Sequence, residues 1–218
     1  MARFLIVSLV VILLAGCAGP ADIGEHVTGS GKLVSRSFDL DGFSRIDVNS
    51  TAQVEVTRGD GFSVKVEVDD NLVSKLDVRV TGNTLRIDLE DGWYTSFTLR
   101  AWVTMPELTG VTLDGASTLS GEVAGEDVTL DLNGASRLTL TGTAGRVKIE
   151  IDGASRAMLG DLMAKENVDL DANGASRVEI YANGAVSGKA NGASSITVTG
   201  APTSVDVETE GASRVITE

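Results

Sequence analysis

The sequence predicts an all-β fold, a right-handed parallel β-helix or solenoid with coils of about 19 residues. Three observations support this prediction: a tripeptide recurs at a nearly constant interval, apolar and polar residues alternate on both sides of each copy, and the composition favours short strands. The 218 residues include 25 glycines and three prolines, and aromatic side chains make up 4% of the chain. Chains of many strands joined by tight turns have this composition more often than helical bundles do.

The first 31 residues are predicted to lie outside the fold. Residues 1–16 resemble a lipoprotein signal peptide, because the apolar run after Arg3 is only about eleven residues long and a bilayer span needs about 20. The small residues before Cys17 resemble a bacterial lipobox, in which the cysteine carries lipid such as palmitate. The alternative is a plain signal peptide that contains a cysteine. Residues 17–31 are small and polar and are expected to form a flexible tether.

Lipidation at Cys17 would attach the protein to a membrane of the bacterial cell envelope. Cys17 is the sole cysteine, so no internal disulfide can form. The next residue is Ala18 rather than aspartate, which in Gram-negative lipoproteins resembles an outer-membrane address. We therefore expect a lipid-anchored protein, at the outer membrane if the cell has one.

Residues 32–218 are expected to form a single domain, with an irregular first part at 32–108 and regular repeats at 109–218. The first part alternates apolar and polar residues in six segments, at 46–48, 54–56, 64–68, 76–80, 85–89 and 99–104. No linker-like stretch separates the two parts. The first part is expected to cap the solenoid or to form its irregular early coils, which would protect an open strand edge.

The repeats are marked by a Gly-Ala-Ser tripeptide that follows an aspartate, asparagine or glutamate. The six corner glycines are Gly115, Gly134, Gly153, Gly174, Gly192 and Gly211, at intervals of 19, 19, 21, 18 and 19 residues. Asx and glycine residues tolerate positive φ, so each copy predicts a tight corner between two strands. A unit this short cannot bury an apolar face alone, which predicts stacked coils with the corners in line. An antiparallel sandwich is the alternative fold.

One coil is expected to be distorted, because the copy containing Lys189 and residues 183–185 departs from the regular repeat. Elsewhere two outward positions carry correlated charges. Three residues before the corner glycine stand the acids Asp131, Glu150, Asp171 and Glu208, and three residues after it stand Arg137, Arg156, Arg177 and Arg214. Because every copy with the acid also has the arginine, we expect the two columns to lie close in space. They are candidate ligand contacts or ladders of compensating charge.

Aromatic residues are concentrated late in the first part. Trp93, Tyr94, Phe97 and Trp102 are four of the nine aromatic residues of the chain and include both tryptophans. Such a cluster either stacks on sugar rings or plugs the end of a core. Exposure of Trp93 and Tyr94 on one face would favour sugar binding, and burial would favour assembly.

The order of these motifs resembles the head GIN domain family of auto-transporter adhesins. The resemblance is carried by residues 29–31, 42–48, 54–60, 71–72, 85–87 and 105–108, followed by the Gly-Ala-Ser repeats. It covers about residues 29–218. The resemblance implies a β-solenoid similar to pectin-lyase-type helices, a role in adhesion and assembly as a homotrimer.

Several function classes are disfavoured. The net charge of −13 and the lack of a basic run argue against nucleic-acid binding. The sole histidine, His26, falls in the predicted tether, so a histidine-based nucleophile system or zinc site has no fixed ligand. No glycine-rich phosphate loop is present. We therefore expect no catalytic residues, no metal and no cofactor.

These features favour a non-catalytic, lipid-anchored binding or adhesion module whose partner is a glycan or an envelope protein. Two alternatives stay open. One is a structural envelope protein that self-associates through its solenoid. The other is a carboxylate-dependent polysaccharide-degrading enzyme built from the acids and arginines of the two columns, although residues that recur once per coil are typical of ladder positions, and catalytic carboxylates need distinct environments.

Overall fold

The computed structural model describes residues 26–218, so the predicted lipid attachment at Cys17 lies outside the described residues. The described chain is almost entirely β. Its body is a β-solenoid of about six turns with coils of roughly 19 residues, which confirms the predicted fold. Within this range no helix has the length and hydrophobicity needed to cross a bilayer.

Residues 26–113 contain ten strands and one short 3-10 helix, Asp70–Lys75. The strands are β1 His26–Thr28, β2 Leu33–Phe38, β3 Arg45–Val48, β4 Gln53–Arg58, β5 Ser63–Asp69, β6 Leu76–Thr81, β7 Thr84–Leu89, β8 Trp93–Thr95, β9 Leu99–Met105 and β10 Gly110–Leu113.

The repeats continue from β10 with two strands per coil. The strands are β11 Thr118–Ala124, β12 Asp127–Leu132, β13 Arg137–Ala144, β14 Arg146–Ile151, β15 Arg156–Ala164, β16 Val168–Ala172, β17 Arg177–Ala182, β18 Ala185–Ala190, β19 Ser195–Gly200, β20 Ser204–Thr209 and β21 Arg214–Thr217.

Two large sheets enclose the core. Sheet 1 has the order β20-β18-β16-β14-β12-β10-β3-β7-β6, and sheet 2 has the order β2-β5-β9-β4-β11-β13-β15-β17-β19-β21. Strands from successive repeats pair in parallel, so that apolar residues at equivalent positions stack: Leu113 lies beside Leu132, and Leu119 beside Leu138. Alternate residues point inward, as in β14, where exposed and buried positions alternate along the whole strand. Each fully buried Leu, Ile or Val contributes about 1.5–3 kcal/mol relative to an exposed one.

The corners stack by a repeated backbone contact. Each corner glycine has a φ between 72° and 79°. The N–H of the alanine that follows donates to the carbonyl of the corner glycine one coil earlier, as in Ala135 to Gly115 at 2.7 Å and Ala154 to Gly134 at 2.8 Å. Five of the six corner serines are buried, and three of them donate their hydroxyl proton within their own corner, as in Ser136 to Asn133 O at 2.8 Å. The six glycines therefore lie in one line along the solenoid, as the repeats predict.

A seventh corner belongs to the same line but lacks the tripeptide. Ser50, between β3 and β4, has a φ of 73°, and its carbonyl accepts the Ala116 N–H at 3.4 Å. A non-glycine residue in this conformation costs roughly 1–2 kcal/mol. The Ser50 hydroxyl donates to the Asp88 carboxylate at 2.5 Å, and this charge-assisted hydrogen bond offsets part of the cost.

The coils of the first part are not stacked in chain order. The coil of β3 and β4 lies between the first repeat and the later strands β7 and β9, which pair with it in parallel on the far side. Beyond these, β5 and β6 pair antiparallel with β9 and β7, and β2 pairs antiparallel with β5. Antiparallel strands thus cover this end of both sheets.

The end of the predicted tether is held against this covered end. Residues 26–28 form β1, which pairs with β8. The carboxylate of Asp69, which is 1% exposed, accepts hydrogen bonds from the N–H groups of Gly31 at 2.5 Å and Thr98 at 2.7 Å. A buried carboxylate needs hydrogen-bond donors, and a short polar segment can supply them from its backbone N–H groups. These contacts hold residues 26–31 in place.

The expectation of a distorted coil around Lys189 is wrong. β18 pairs with β16 and β20 in unbroken register. The register shifts instead in β15, within the 21-residue interval between Gly153 and Gly174, where β15 has one extra residue relative to β13 and three relative to β17. The 18-residue coil closes without a shift because its backbone passes very close to the previous coil at Gly184 and Gly188. A Cβ at either position would collide with a carbonyl oxygen of that coil.

Replacing Gly153 with alanine is expected to lower the free energy of unfolding by about 2 kcal/mol or more. A left-handed conformation costs an L-residue roughly 1–2 kcal/mol, and the new methyl group would collide with the carbonyl oxygen of Gly134. Equilibrium urea denaturation measures the loss.

Gly160→Ala is the matched control for this prediction. Gly160 lies in the bulge of β15, and no heavy atom lies within 4 Å of the position that its Cβ would take. A change within about 0.5 kcal/mol is expected there. Equal losses at the two glycines would contradict the role assigned to the corner line.

Candidate functional site

The outward face of sheet 2 carries a row of arginines. Arg137, Arg156 and Arg177 are direct neighbours on β13, β15 and β17, and all three are exposed. Adjacent strands put them roughly 4.8 Å apart along the backbone. Ser195 follows on β19, and Arg214 on β21 donates from its Nε to the Ser195 hydroxyl at 3.1 Å.

The same row continues in the other direction through the first part. Thr118 pairs with Arg137, Gln53 pairs with Thr118, and Arg100 pairs with Gln53. We call the whole row the arginine column; it comprises Arg100, Gln53, Thr118, Arg137, Arg156, Arg177, Ser195 and Arg214. Seven steps of roughly 4.8 Å make it about 34 Å long.

The predicted proximity of the acid and arginine columns is wrong. The acids Asp131, Glu150, Asp171 and Glu208 lie on the outward face of sheet 1, whereas the arginines lie on sheet 2. The chain passes from one sheet to the other at each corner, so residues on its two sides project from different faces. Across residues 26–218, none of Arg137, Arg156, Arg177 and Arg214 forms an ion pair.

Sheet 1 neutralises part of its own charge. Lys148 pairs with Glu150 at 2.6 Å, Lys189 with Glu208 at 3.9 Å, and Arg146 with Asp127 at 2.7 Å. The face still carries an excess of carboxylates. Burial, and then the neighbouring charge of Glu150, raise the pKa of Asp131 above its ordinary value. The molecule is therefore polarised, with an acidic face on sheet 1 and the arginine column on sheet 2.

The acids of sheet 1 do not converge on one point. Glu150, Asp152 and Asp171 line a shallow groove together with asparagines of the neighbouring corners. In the part of the chain that the structure describes, no three His, Cys, Asp or Glu side chains are arranged to hold a metal ion. Neighbouring strands instead spread these side chains along a flat sheet face.

The predicted aromatic cluster is divided between two places. Trp93 on β8 is 71% exposed, whereas Tyr94 is half-buried, packs edge-on against Phe97 and donates its hydroxyl proton to Glu90 O at 2.8 Å. Exposure of both Trp93 and Tyr94 would have favoured sugar binding and burial of both would have favoured assembly, but one ring is exposed and the other is packed. Trp102 lies elsewhere, on the outward face of β9 beside the arginine column, and is 38% exposed.

Trp102 borders a groove of about 250 Å³ on sheet 2. The polar residues of its lining are Gln53, Glu55, Arg100, Thr118 and Ser120. Three of these five residues belong to the arginine column. The sequence alternation in β9 indicates that Arg100 and Trp102 share a face, but it does not indicate which strands lie next to them. The groove follows from the pairing of β9 with β4, two strands that are distant in the chain.

A family model described as "Putative auto-transporter adhesin, head GIN domain" matches residues 42–202. This match confirms the resemblance seen in the motifs. No curated protein matches the sequence.

Solved structures share the fold. A "putative adhesin" from Bacteroides fragilis NCTC 9343 superposes with a TM-score of 0.71 at 19% identity, over 88% of this chain and all of that one. Two structures from Parabacteroides distasonis ATCC 8503 each cover 89% of this chain and 100% of their own. One is a "putative adhesin" with a TM-score of 0.57 at 17% identity, and the other a "Putative lipid binding protein" with 0.53 at 16%.

Replacing Asp131 with asparagine is expected to stabilise the fold at pH 7 by roughly 0.2–1 kcal/mol, the usual cost of like charges opposite each other on neighbouring strands. The pKa of Asp131 is raised in the folded state, so its carboxylate opposes folding when ionised. The gain should fade as the pH falls through this raised pKa towards the ordinary value. Urea denaturation between pH 7 and pH 3.5 measures it.

Asp161→Asn removes the same charge from an exposed position opposite Thr141 on sheet 2 and serves as the control. Its effect at pH 7 should be the smaller of the two. A pH-independent gain at Asp131 would show that its charge is not the cause, and an equal gain at Asp161 would show that total charge rather than the acidic face is responsible.

Proposed function

The chain belongs to the head GIN domain family, and we propose that it is a non-catalytic adhesion module that binds an anionic partner through the arginine column and is anchored by lipid at Cys17. The observation that carries this proposal is the run of Arg137, Arg156 and Arg177, three adjacent guanidinium groups without acidic partners on a chain of net charge −13. Adhesion requires such a surface, accessible and complementary to the partner.

The energetic cost of the column supports a binding role. Like charges directly opposite each other on neighbouring strands destabilise a sheet by roughly 0.2–1 kcal/mol per pair. On sheet 1 this cost is reduced, since Lys148 and Lys189 stand among the acids. On sheet 2 none of the three arginines forms an ion pair within the described residues, although Glu179 lies two residues from Arg177 on the same face of β17. A ligand with regularly spaced anionic groups would remove the repulsion, because the planar guanidinium donates two parallel hydrogen bonds to a carboxylate, sulfate or phosphate.

The arrangement of charges also supports a non-catalytic role. General acid–base chemistry with carboxylates needs two groups whose environments separate their pKa values within one cleft. Here the acids and arginines are on different sheets, and the acids repeat from strand to strand, with three of them lining only a shallow groove. Binding along such a face needs no convergent residues.

The anchor completes the proposal. Eight residues separate Cys17 from His26, and fully extended they span at most about 30 Å. β1 then fixes the chain at the end of the solenoid that the antiparallel strands cover. Acyl chains on Cys17 would hold the domain near a membrane of the cell envelope, since each buried methylene contributes about 0.8 kcal/mol.

Changing Arg137, Arg156 and Arg177 together to serine is expected to weaken binding to an anionic polymer at least about tenfold, or about 1.4 kcal/mol. The probes are immobilised heparin and polygalacturonate, with dextran as the neutral polymer, and surface plasmon resonance measures affinity. Since the three side chains are exposed, the melting temperature should stay unchanged or rise slightly. Vesicles of phosphatidylcholine with 30% phosphatidylserine form a further arm, because one structural neighbour is described as a lipid binding protein.

The matched control removes three cations from sheet 1 instead, by changing Arg146, Lys148 and Lys189 to serine. This triple variant has the same net charge as the first and should keep its affinity. Equal losses of affinity in the two variants would show that net charge, and not the arginine column, determines binding. Wild-type protein that binds none of the anionic probes would overturn the proposed function.

Cys17→Ser is expected to abolish lipid attachment. In bacteria expressing the full chain, labelled palmitate should be incorporated into the wild type and into an Ala21→Ser control, and both should partition into the detergent phase of Triton X-114. The Cys17 variant should do neither. An unlabelled, water-soluble wild type would favour the plain signal peptide.

A further inference from the structure

Trp102 contacts a cation and also borders a groove. On the side of β5, the Lys65 ammonium lies 5.4 Å from the centre of the indole ring. On the side of β4, the ring borders the 250 Å³ groove, which Lys65 does not line. The cation–π contact restrains the indole, and the same ring lines the groove.

The groove offers the groups that a sugar ring needs. An indole provides a flat apolar surface for the C–H face of a pyranose. Around it, Gln53 can donate and accept, the Thr118 and Ser120 hydroxyls can do both, and Glu55 accepts. Such a combination of one aromatic platform with several short polar side chains suits a ring that carries many hydroxyl groups.

The groove and the arginine column form one continuous surface. Arg100, Gln53 and Thr118 belong to both, and Thr118 is the direct neighbour of Arg137. A chain that leaves the groove along the solenoid axis, across the strands, therefore meets three adjacent guanidinium groups. Arg100 is itself partly engaged by Glu67 at 3.4 Å, so the uncompensated positive charge begins at Arg137.

One ligand class matches both halves of this surface. Polyphosphate and acidic peptides would satisfy the arginines but present no hydroxylated ring to Trp102. Neutral glycans would satisfy the groove but leave the arginines uncompensated. A linear polysaccharide with carboxylate or sulfate groups satisfies both.

We infer that the groove beside Trp102 is a sugar-ring subsite at one end of the arginine column, and that the ligand is a linear anionic polysaccharide lying across the strands of sheet 2. This inference rests on the proposed function, since it names the class of partner that the column binds. Trp102 and Gln53 are the residues that distinguish a glycan from other polyanions.

Trp102→Ala tests the subsite. By calorimetry, the purified wild type is titrated with octasaccharides of heparin and of oligogalacturonate, and with polyphosphate of similar total charge. The variant should bind the oligosaccharide that the wild type prefers about tenfold more weakly, and polyphosphate within about twofold of the wild type. The preference between the two oligosaccharides identifies sulfate or carboxylate as the anion.

Trp93→Ala is the matched control, because Trp93 is the other tryptophan, is more exposed than Trp102 and lies on β8, outside both large sheets. It should keep full affinity. A Trp93→Phe variant, in which Trp102 is the sole tryptophan, should change its fluorescence on glycan binding and not on polyphosphate binding.

The outcomes separate the two levels of the proposal. If Trp102→Ala binds glycans as the wild type does, the subsite is wrong and the arginine column stands. If it loses polyphosphate equally, Trp102 supports the column rather than a sugar ring, and the subsite is again wrong. If the wild type binds anionic vesicles but neither oligosaccharide, the ligand class is wrong. If it binds no anion at all, the proposed function fails with it.

Discussion

The whole structure depends on a backbone contact at the corners. An alanine N–H meets the carbonyl oxygen of the previous corner residue at 2.7–2.8 Å between the repeats. This approach leaves no room for a Cβ at the corner position and requires a left-handed φ. Glycine meets both demands without strain. Because every coil makes the contact with the coil before it, the corners set the register of both sheets, and a slip by one residue would turn the buried face of a strand outward.

Because the register is fixed, residues at the same position of successive repeats line up in a row on the surface of a sheet. A residue type that is repeated three positions after the corner becomes a row on sheet 2, and one repeated three positions before it becomes a row on sheet 1. Repetition therefore multiplies both the use and the cost of a charge. Sheet 1 reduces the cost by placing lysines among the acids, whereas Arg137, Arg156 and Arg177 repeat the same charge on three consecutive strands. The difference between the faces is a matter of local sequence, since both sheets share one backbone plan.

The repeats could be predicted from sequence because their signal is local. The corner glycines and the alternating residues beside them are read from neighbouring positions, and the structure stacks them as expected. The features that escaped prediction depend on distant residues. Ser50 forms a corner without the tripeptide, and its hydroxyl donates to Asp88, which is distant in the chain. The groove beside Trp102 requires β9 to lie next to β4, although β5, β6, β7 and β8 intervene in the chain. The acid and arginine columns correlate because both follow the repeat, and the correlation carries no information about distance across a corner.

Uniform spacing has a consequence for any ligand of the arginine column. A polymer bound by identical arginines on successive strands can shift by one strand with little change in energy, since each exposed charge pair contributes only about 0–1 kcal/mol. Affinity then comes from the number of arginines that the polymer contacts rather than from any one of them. Position along the column must be set where the uniformity ends. The column is uniform only from Arg137 to Arg177, and towards β9 it changes to Thr118, Gln53 and Arg100 beside the indole of Trp102. The irregular first part thus does more than cover the strands of one end: it supplies the asymmetry that a strictly repeated surface lacks.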